Sequence, residues 1–135
     1  MKTRNITLFA ILILALGLTA CGASSVTDLK GTSWNLVEIA GQPVLADATP
    51  TLVFEDGQAG GNGSCNTFGG EYQQSGNSLT FGTMISTLMY CEGFSDQETA
   101  YLTALSESAT YQIKADRLTI FNAAGEEILA FEQAK

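Results

Sequence analysis

From Thr32 onward the chain is cut into short segments in which apolar and polar residues alternate, most of them closed by a glycine or asparagine turn. This punctuation constrains the fold more than any other feature, because short period-2 segments form half-buried β-strands. Thr51 to Glu55 places Leu52 and Phe54 on one face and ends at Asp56-Gly57. Glu71 to Ser75 carries Tyr72 and ends at Gly76-Asn77, and Ser78 to Gly82 then carries Leu79 and Phe81. Thr110 to Lys114, Arg117 to Phe121 and Glu127 to Glu132 repeat the pattern, with a turn from Asn122 to Gly125. In Thr32 to Ala40 the apolar residues change parity between Leu36 and Val37, which marks a bulge or a two-sided strand. Met84 to Tyr90 is strand-like but less regular.

One segment has a different period. Tyr101, Leu102, Leu105 and Ala109 recur at helical spacing, as a stripe that packs on a core. Ser95 and Glu98 precede them as an S-x-x-E capping box, so the helix is expected from Ser95 to about Glu107. Short connections favour antiparallel neighbours. The expected fold class is α+β: a curled antiparallel sheet or partial barrel of about seven to eight short strands, with one helix covering an open side.

The first twenty residues do not follow this pattern. Lys2 and Arg4 precede an apolar run from Ile6 to Leu18, broken only by Thr7 and Gly17. A spanning helix needs roughly 20 apolar residues, so the run reads as a secretory h-region. Leu18-Thr19-Ala20-Cys21 closes it and resembles the lipobox of bacterial lipoproteins, which implies cleavage before Cys21 and a lipid anchor on that residue. The chain then divides into a lipoprotein signal peptide (1–20), a lipidated tether (21–30) and one domain (31–135). Residues 22–30 span about 30 Å at full extension, which keeps the domain near the membrane. Gly22, in place of an Asp after the anchor, favours the periplasmic side of the outer membrane in a diderm host and otherwise the outer face of the cytoplasmic membrane.

The whole-chain formal charge of −8 therefore averages two unlike segments. Without the leader the side-chain balance is about −10, which argues against nucleic acid as a partner; the acidity most simply serves solubility, and it would also steer a cationic partner toward the domain. The chain contains no histidine, which excludes Ser-His-Asp and Cys-His catalysis and every imidazole-ligated metal. Glu55, Asp56 and Asn62 do not match the spacing of an EF-hand calcium loop. The glycines at 60, 61, 63, 69 and 70 lack the GK[ST] that completes a phosphate loop. No catalytic residue, metal or cofactor is expected.

Cys65 and Cys91 remain once Cys21 is acylated. In a secreted chain two cysteines most simply form one disulfide, and neither has the basic neighbour that an activated thiol needs.

Five ordered motifs then resemble the META domain, or HslJ-like, family of small bacterial envelope proteins. They are Trp34-Asn35-Leu36-Val37 with Gly41-Gln42-Pro43; Thr51-Leu52-Val53-Phe54; Gly63-Ser64-Cys65-Asn66-Thr67-Phe68-Gly69-Gly70-Glu71-Tyr72; Ser86-Thr87-Leu88-Met89-Tyr90-Cys91; and Glu98-x-x-Tyr101-Leu102-x-Ala104-Leu105. The family usually carries glycine where Ser64 stands, so a less unusual backbone is expected there. The resemblance implies a compact β-rich fold with one helix and ties to heat or antibiotic stress and, in some parasites, to virulence. It implies no catalytic residues. It also implies a fold similar to that of the lipoprotein pilots of secretion-system secretins.

The leading expectation is a membrane-anchored, non-enzymatic envelope lipoprotein that binds another envelope protein or protects against stress. Asn66, Phe68 and Thr87 are its candidate binding residues, set against the plainer expectation that Asn66 and Thr87 satisfy buried backbone groups. The alternatives are a secretin-pilot-like assembly lipoprotein and a lipocalin-like carrier of a small apolar ligand, its cavity lined by Trp34, Phe54, Phe68, Phe81 and Phe131.

Overall fold

A computed structural model describes residues 26–135. The expected signal peptide, the expected anchor residue Cys21 and the first residues of the expected tether lie outside the described residues. The described part contains ten strands and one helix: β1 (Ser33–Ile39), β2 (Gln42–Pro43), β3 (Thr51–Phe54), β4 (Gln58–Asn62), β5 (Thr67–Ser75), β6 (Ser78–Phe81), β7 (Ile85–Ser86), α1 (Ser95–Ser106), β8 (Ser108–Lys114), β9 (Arg117–Asn122) and β10 (Glu127–Gln133).

Eight strands close an antiparallel barrel in the order β1-β3-β4-β5-β6-β8-β9-β10, and β10 pairs back onto β1. Closure removes both sheet edges, which would otherwise offer unpaired backbone groups to other chains. The two remaining strands are short additions: β2 folds back on β1, and β7 pairs with the first residues of β5. The seam between β6 and β8 is the weakest, with Ser78 opposite Thr110 as its one registered pair. The α+β expectation therefore holds, and the curled sheet is a closed barrel.

The alternation on the page becomes the inside and outside of this barrel. Trp34 and Leu36, Leu52 and Phe54, Phe68 and Tyr72, Leu118 and Ile120, and Leu129 and Phe131 all enter one core. The change of parity in β1 appears as a register shift between Leu36 and Glu38, opposite the adjacent Phe131 and Ala130. Val37 is the extra residue, and the bulge bends β1 so that both β3 and β10 can pair with it.

Helix α1 covers one end of the barrel and drives Tyr101 into it. The Tyr101 ring meets Phe68 and Phe131 edge-on, at centroid distances of 5.5 and 6.2 Å. Its hydroxyl donates to the Thr51 carbonyl at 3.1 Å, so the buried polar tip is satisfied. The helix stops at Ser106, and Ala109, expected on its stripe, belongs to β8 instead.

At the other end Leu29 is fully buried in the core. Its N–H donates to the Gln74 side chain, and the Thr27 carbonyl accepts from the Tyr111 hydroxyl at 2.7 Å. Residues 27–30, expected as tether, are thus packed onto the barrel, and the domain begins earlier than residue 31.

Strand β4 is the one barrel strand that alternation does not reveal, because Gly60 and Gly61 leave no pattern. They are there for closeness: a Cβ on Gly60 would stand 2.7 Å from the Phe68 carbonyl oxygen of the neighbouring strand. Leu118→Ala should cost about 2–5 kcal/mol, because it empties a fully buried position in this close-packed interior. Urea titration should show a lower midpoint with an unchanged slope.

Candidate functional site

The most specific sequence motif forms the loop between β4 and β5, at the end of the barrel that α1 covers. Two backbone N–H groups in this loop, those of Cys65 and Asn66, point at one acceptor. That acceptor is the Glu98 carboxylate, at 3.0 Å from Cys65 N and 2.6 Å from Asn66 N. The Asn66 side-chain amide donates to the other Glu98 oxygen at 2.6 Å. Glu98 therefore does not close a capping box. Phe94 occupies the cap position without a side-chain bond to the helix, and Ser95 donates to the Cys91 carbonyl. Three charge-assisted bonds, two of them from loop N–H groups, outweigh self-capping of the helix.

Gly63 is where this arrangement requires glycine. A Cβ there would lie 2.8 Å from a Glu98 carboxylate oxygen. The next residue, Ser64, adopts φ of +123°, so the backbone at this position is unusual for a residue with a side chain despite the replacement of glycine by serine. Its N–H donates to Asn62 Oδ1 at 2.9 Å and its hydroxyl accepts from Gln97 Nε2 at 2.8 Å, which holds a conformation that side chains resist.

Asn66 joins this loop to the segment after β7. Its carbonyl oxygen accepts from the Thr87 hydroxyl and from the Met89 N–H, each at 2.7 Å, and its amide donates to the Met89 carbonyl at 3.0 Å. Every hydrogen-bonding position of the side chain is filled from within the chain. The plainer expectation for Asn66 and Thr87 is therefore the one the geometry supports. Phe68 is buried against Tyr101. Asn66 and Phe68 offer no free group to a ligand, and the exposed Thr87 gives its hydroxyl proton to Asn66. Cys65 and Cys91 form the expected disulfide, with Cα atoms 5.8 Å apart, and it ties the same loop to the segment that leads into α1, four residues before Ser95.

Burial pushes the Glu98 carboxyl upward, but the bonds from the Asn66 N–H, the Asn66 side chain and the Cys65 N–H more than offset it. The net result lies below the ordinary glutamate range. Its negative charge is spent on holding the loop.

The outer surface beside this lock carries what sequence reading missed. Leu88 is 96% exposed, Tyr90 82%, Ile85 76% and Met89 61%. Exposure of an apolar run cannot be read from hydropathy, and Met84 to Tyr90 resembles an interrupted strand on the page. Below Ile85 an open groove of about 770 Å³ runs over the outside of β4 and β5, floored by Gly60, Gly61, Gly69 and Gly70. The aromatics expected to line a ligand cavity lie elsewhere: Phe54 packs against Tyr72 and Phe81 at centroid distances of 4.9 and 6.1 Å, while Trp34, Phe68 and Phe131 are core residues. They fill the barrel, which removes the basis for the lipocalin-like carrier.

Three measurements check this construction. Glu98→Gln should cost about 2–3 kcal/mol, because an amide cannot accept all three bonds, whereas Ser95→Ala should cost under about 1 kcal/mol. A carboxyl with a lowered folded pKa contributes stability above its unfolded value, near ~4.3, and loses it as pH falls through the folded value. The urea midpoint should therefore fall from about pH 5 to pH 3, and fall less in Glu98→Gln. Replacing both Cys65 and Cys91 by alanine should cost about 3.5 kcal/mol by the chain-entropy relation, read as a lower midpoint in the same titration.

A family model described as META domain matches residues 27–135, and the chain belongs to that family. No curated protein matches. An NMR structure of a protein from Burkholderia xenovorans is similar at 28% identity and a TM-score of 0.65, covering 79% of this chain and 84% of that one. A second NMR structure is similar at 26% identity and a TM-score of 0.63, covering 77% and 90%. A crystal structure of a DUF4847 family protein from Bacteroides vulgatus shares the fold at 15% identity and a TM-score of 0.64, covering 79% and 95%.

Proposed function

We propose that this META domain chain is a non-enzymatic lipoprotein of the bacterial envelope, held to a membrane through Cys21, that docks another envelope protein through Leu88, Met89, Tyr90 and Ile85. The observation that carries the reading is the exposure of this row on a segment fixed at both ends. Scattered exposed hydrophobic residues are ordinary, but a contiguous apolar patch marks an interaction surface. Asn66 and the Thr67 carbonyl hold its Thr87–Met89 stretch, and the disulfide holds Cys91. A row fixed in advance loses little conformational freedom on binding, so more of its contact energy appears as affinity.

The lack of histidine and the internal use of Glu98 support binding over catalysis. The family resemblance to stress proteins supports a protective role for that binding. Cys21→Ser should move the protein from the membrane fraction to the soluble fraction. The exposed double variant Leu88→Ser/Tyr90→Ser should stay within about 0.5 kcal/mol of wild-type stability. It should nevertheless fail to restore survival of heat or antibiotic exposure in a deletion strain. Full rescue by this variant, or membrane retention of Cys21→Ser, sinks the reading.

A further inference from the structure

Strand register sorts the charges of the barrel by end. One end carries residues 27–32, the β3–β4, β5–β6 and β8–β9 turns and the C-terminus. Lys30, Lys114, Arg117 and Lys135, the described cations, all start from this end. Lys30 pairs with Asp56 at 3.1 Å, and Arg117 turns along the wall to Glu38 at 2.9 Å. The other end carries the 44–50 loop, the Glu98 lock, the 87–94 segment, α1 and the β9–β10 turn. Exposed there are Asp47, Glu92, Asp96, Glu107 and Glu126; no Lys or Arg of the described residues starts from that end, and Arg117 reaches only its margin, at Glu127 at 3.5 Å. The apolar row belongs to this acidic pole, since β7 pairs with Phe68 and Gly69 at the start of β5.

The chain enters the barrel at the opposite pole. Thr27 and Leu29 sit against Gln74, near the end of β5. From Thr67 to Gln74 the strand covers about 23 Å at ~3.3 Å per residue. A tether leading from Thr27 toward a membrane therefore turns the mixed-charge pole to the lipid and the acidic, apolar pole away from it.

We infer that the acidic pole docks a basic segment of an envelope protein that also carries apolar side chains, the apolar groups meeting Leu88, Met89 and Tyr90 and the cations meeting Asp47 and Glu92. The inference rests on the docking reading above and adds the chemistry of the partner. Charge complementarity favours this occupant over two others. A second copy would bring carboxylates against carboxylates if the same poles met. A bilayer lies at the other pole. Asp47 and Glu92 stand at the same pole as the row: the 44–50 loop is held to Gln97 of α1 through Leu45 and Ala48, and Glu92 follows Cys91 of the disulfide.

The test uses the full lipidated protein in phosphatidylcholine nanodiscs, with an octapeptide of alternating Lys and Leu as probe and empty discs subtracted. Leu88→Ser/Tyr90→Ser and Asp47→Asn/Glu92→Gln should each weaken peptide binding about tenfold, against under about twofold for Asp116→Asn/Glu132→Gln, which removes the same charge at the tether pole. Equal losses from the two charge-neutralised pairs, or none from the row variant, overturn the inference. A photoreactive side chain at Leu88 should crosslink to the peptide, whereas crosslinking to lipid or to a second copy overturns it. In cells, a crosslink from Leu88 to a protein segment without basic residues overturns the partner chemistry while leaving the docking reading intact.

Discussion

The Glu98 carboxylate is the interaction on which this end of the molecule depends. It is carried by the helix, but its oxygens are used by the loop between β4 and β5. Through Asn66 the same contact reaches the segment at Thr87 and Met89, so three pieces distant in sequence are fixed by one side chain and its partner. A buried charge is costly unless every lone pair finds a donor, and that cost makes the arrangement specific: displacing any one piece exposes the penalty. The disulfide adds a covalent tie between the loop and the residues before the helix. The barrel wall, in contrast, is held by sheet pairing and apolar packing that need no such lock.

This division explains what the sequence disclosed. The walls were legible because alternation and turn residues are local signals: Leu52 and Phe54, Leu79, Leu118 and Ile120 all face inward as their period demands. The bulge at Val37 was legible for the same reason, as a break in parity. Glu98 was not. Its position suits a capping box, and only the loop that folds against it, over thirty residues away in the chain, shows that its carboxylate is taken elsewhere. Strand β4 escaped because its glycines answer to a neighbouring backbone rather than to a core face. The row at Leu88, Met89 and Tyr90 escaped because an apolar residue looks the same on the page whether covered or bare.

The motif that most clearly carries the family resemblance thus builds a support, with the Asn66 side chain bonded wholly within the chain. Gly63, Cys65 and Asn66 are needed for the lock, and the lock fixes the segment on which the exposed row stands. The surface that does the proposed docking is made of side chains whose identity the fold does not require. Relatives can share the support and differ in what they present.

The pairing of β1 with β10 has a kinetic side. The barrel closes only when its first and last strands meet, with Trp34 opposite Gln133 and the Ala134 N–H on the Ser33 carbonyl. Contacts this distant in sequence form late and slowly, because a long stretch of chain must be ordered before they can form. A nascent chain lacking its final dozen residues has no β10 to fill the gap between β1 and β9, and it cannot complete the core around Leu129 and Phe131. Such a chain lacks both the closing strand and part of the core, so the barrel is completed only once its C-terminus is available.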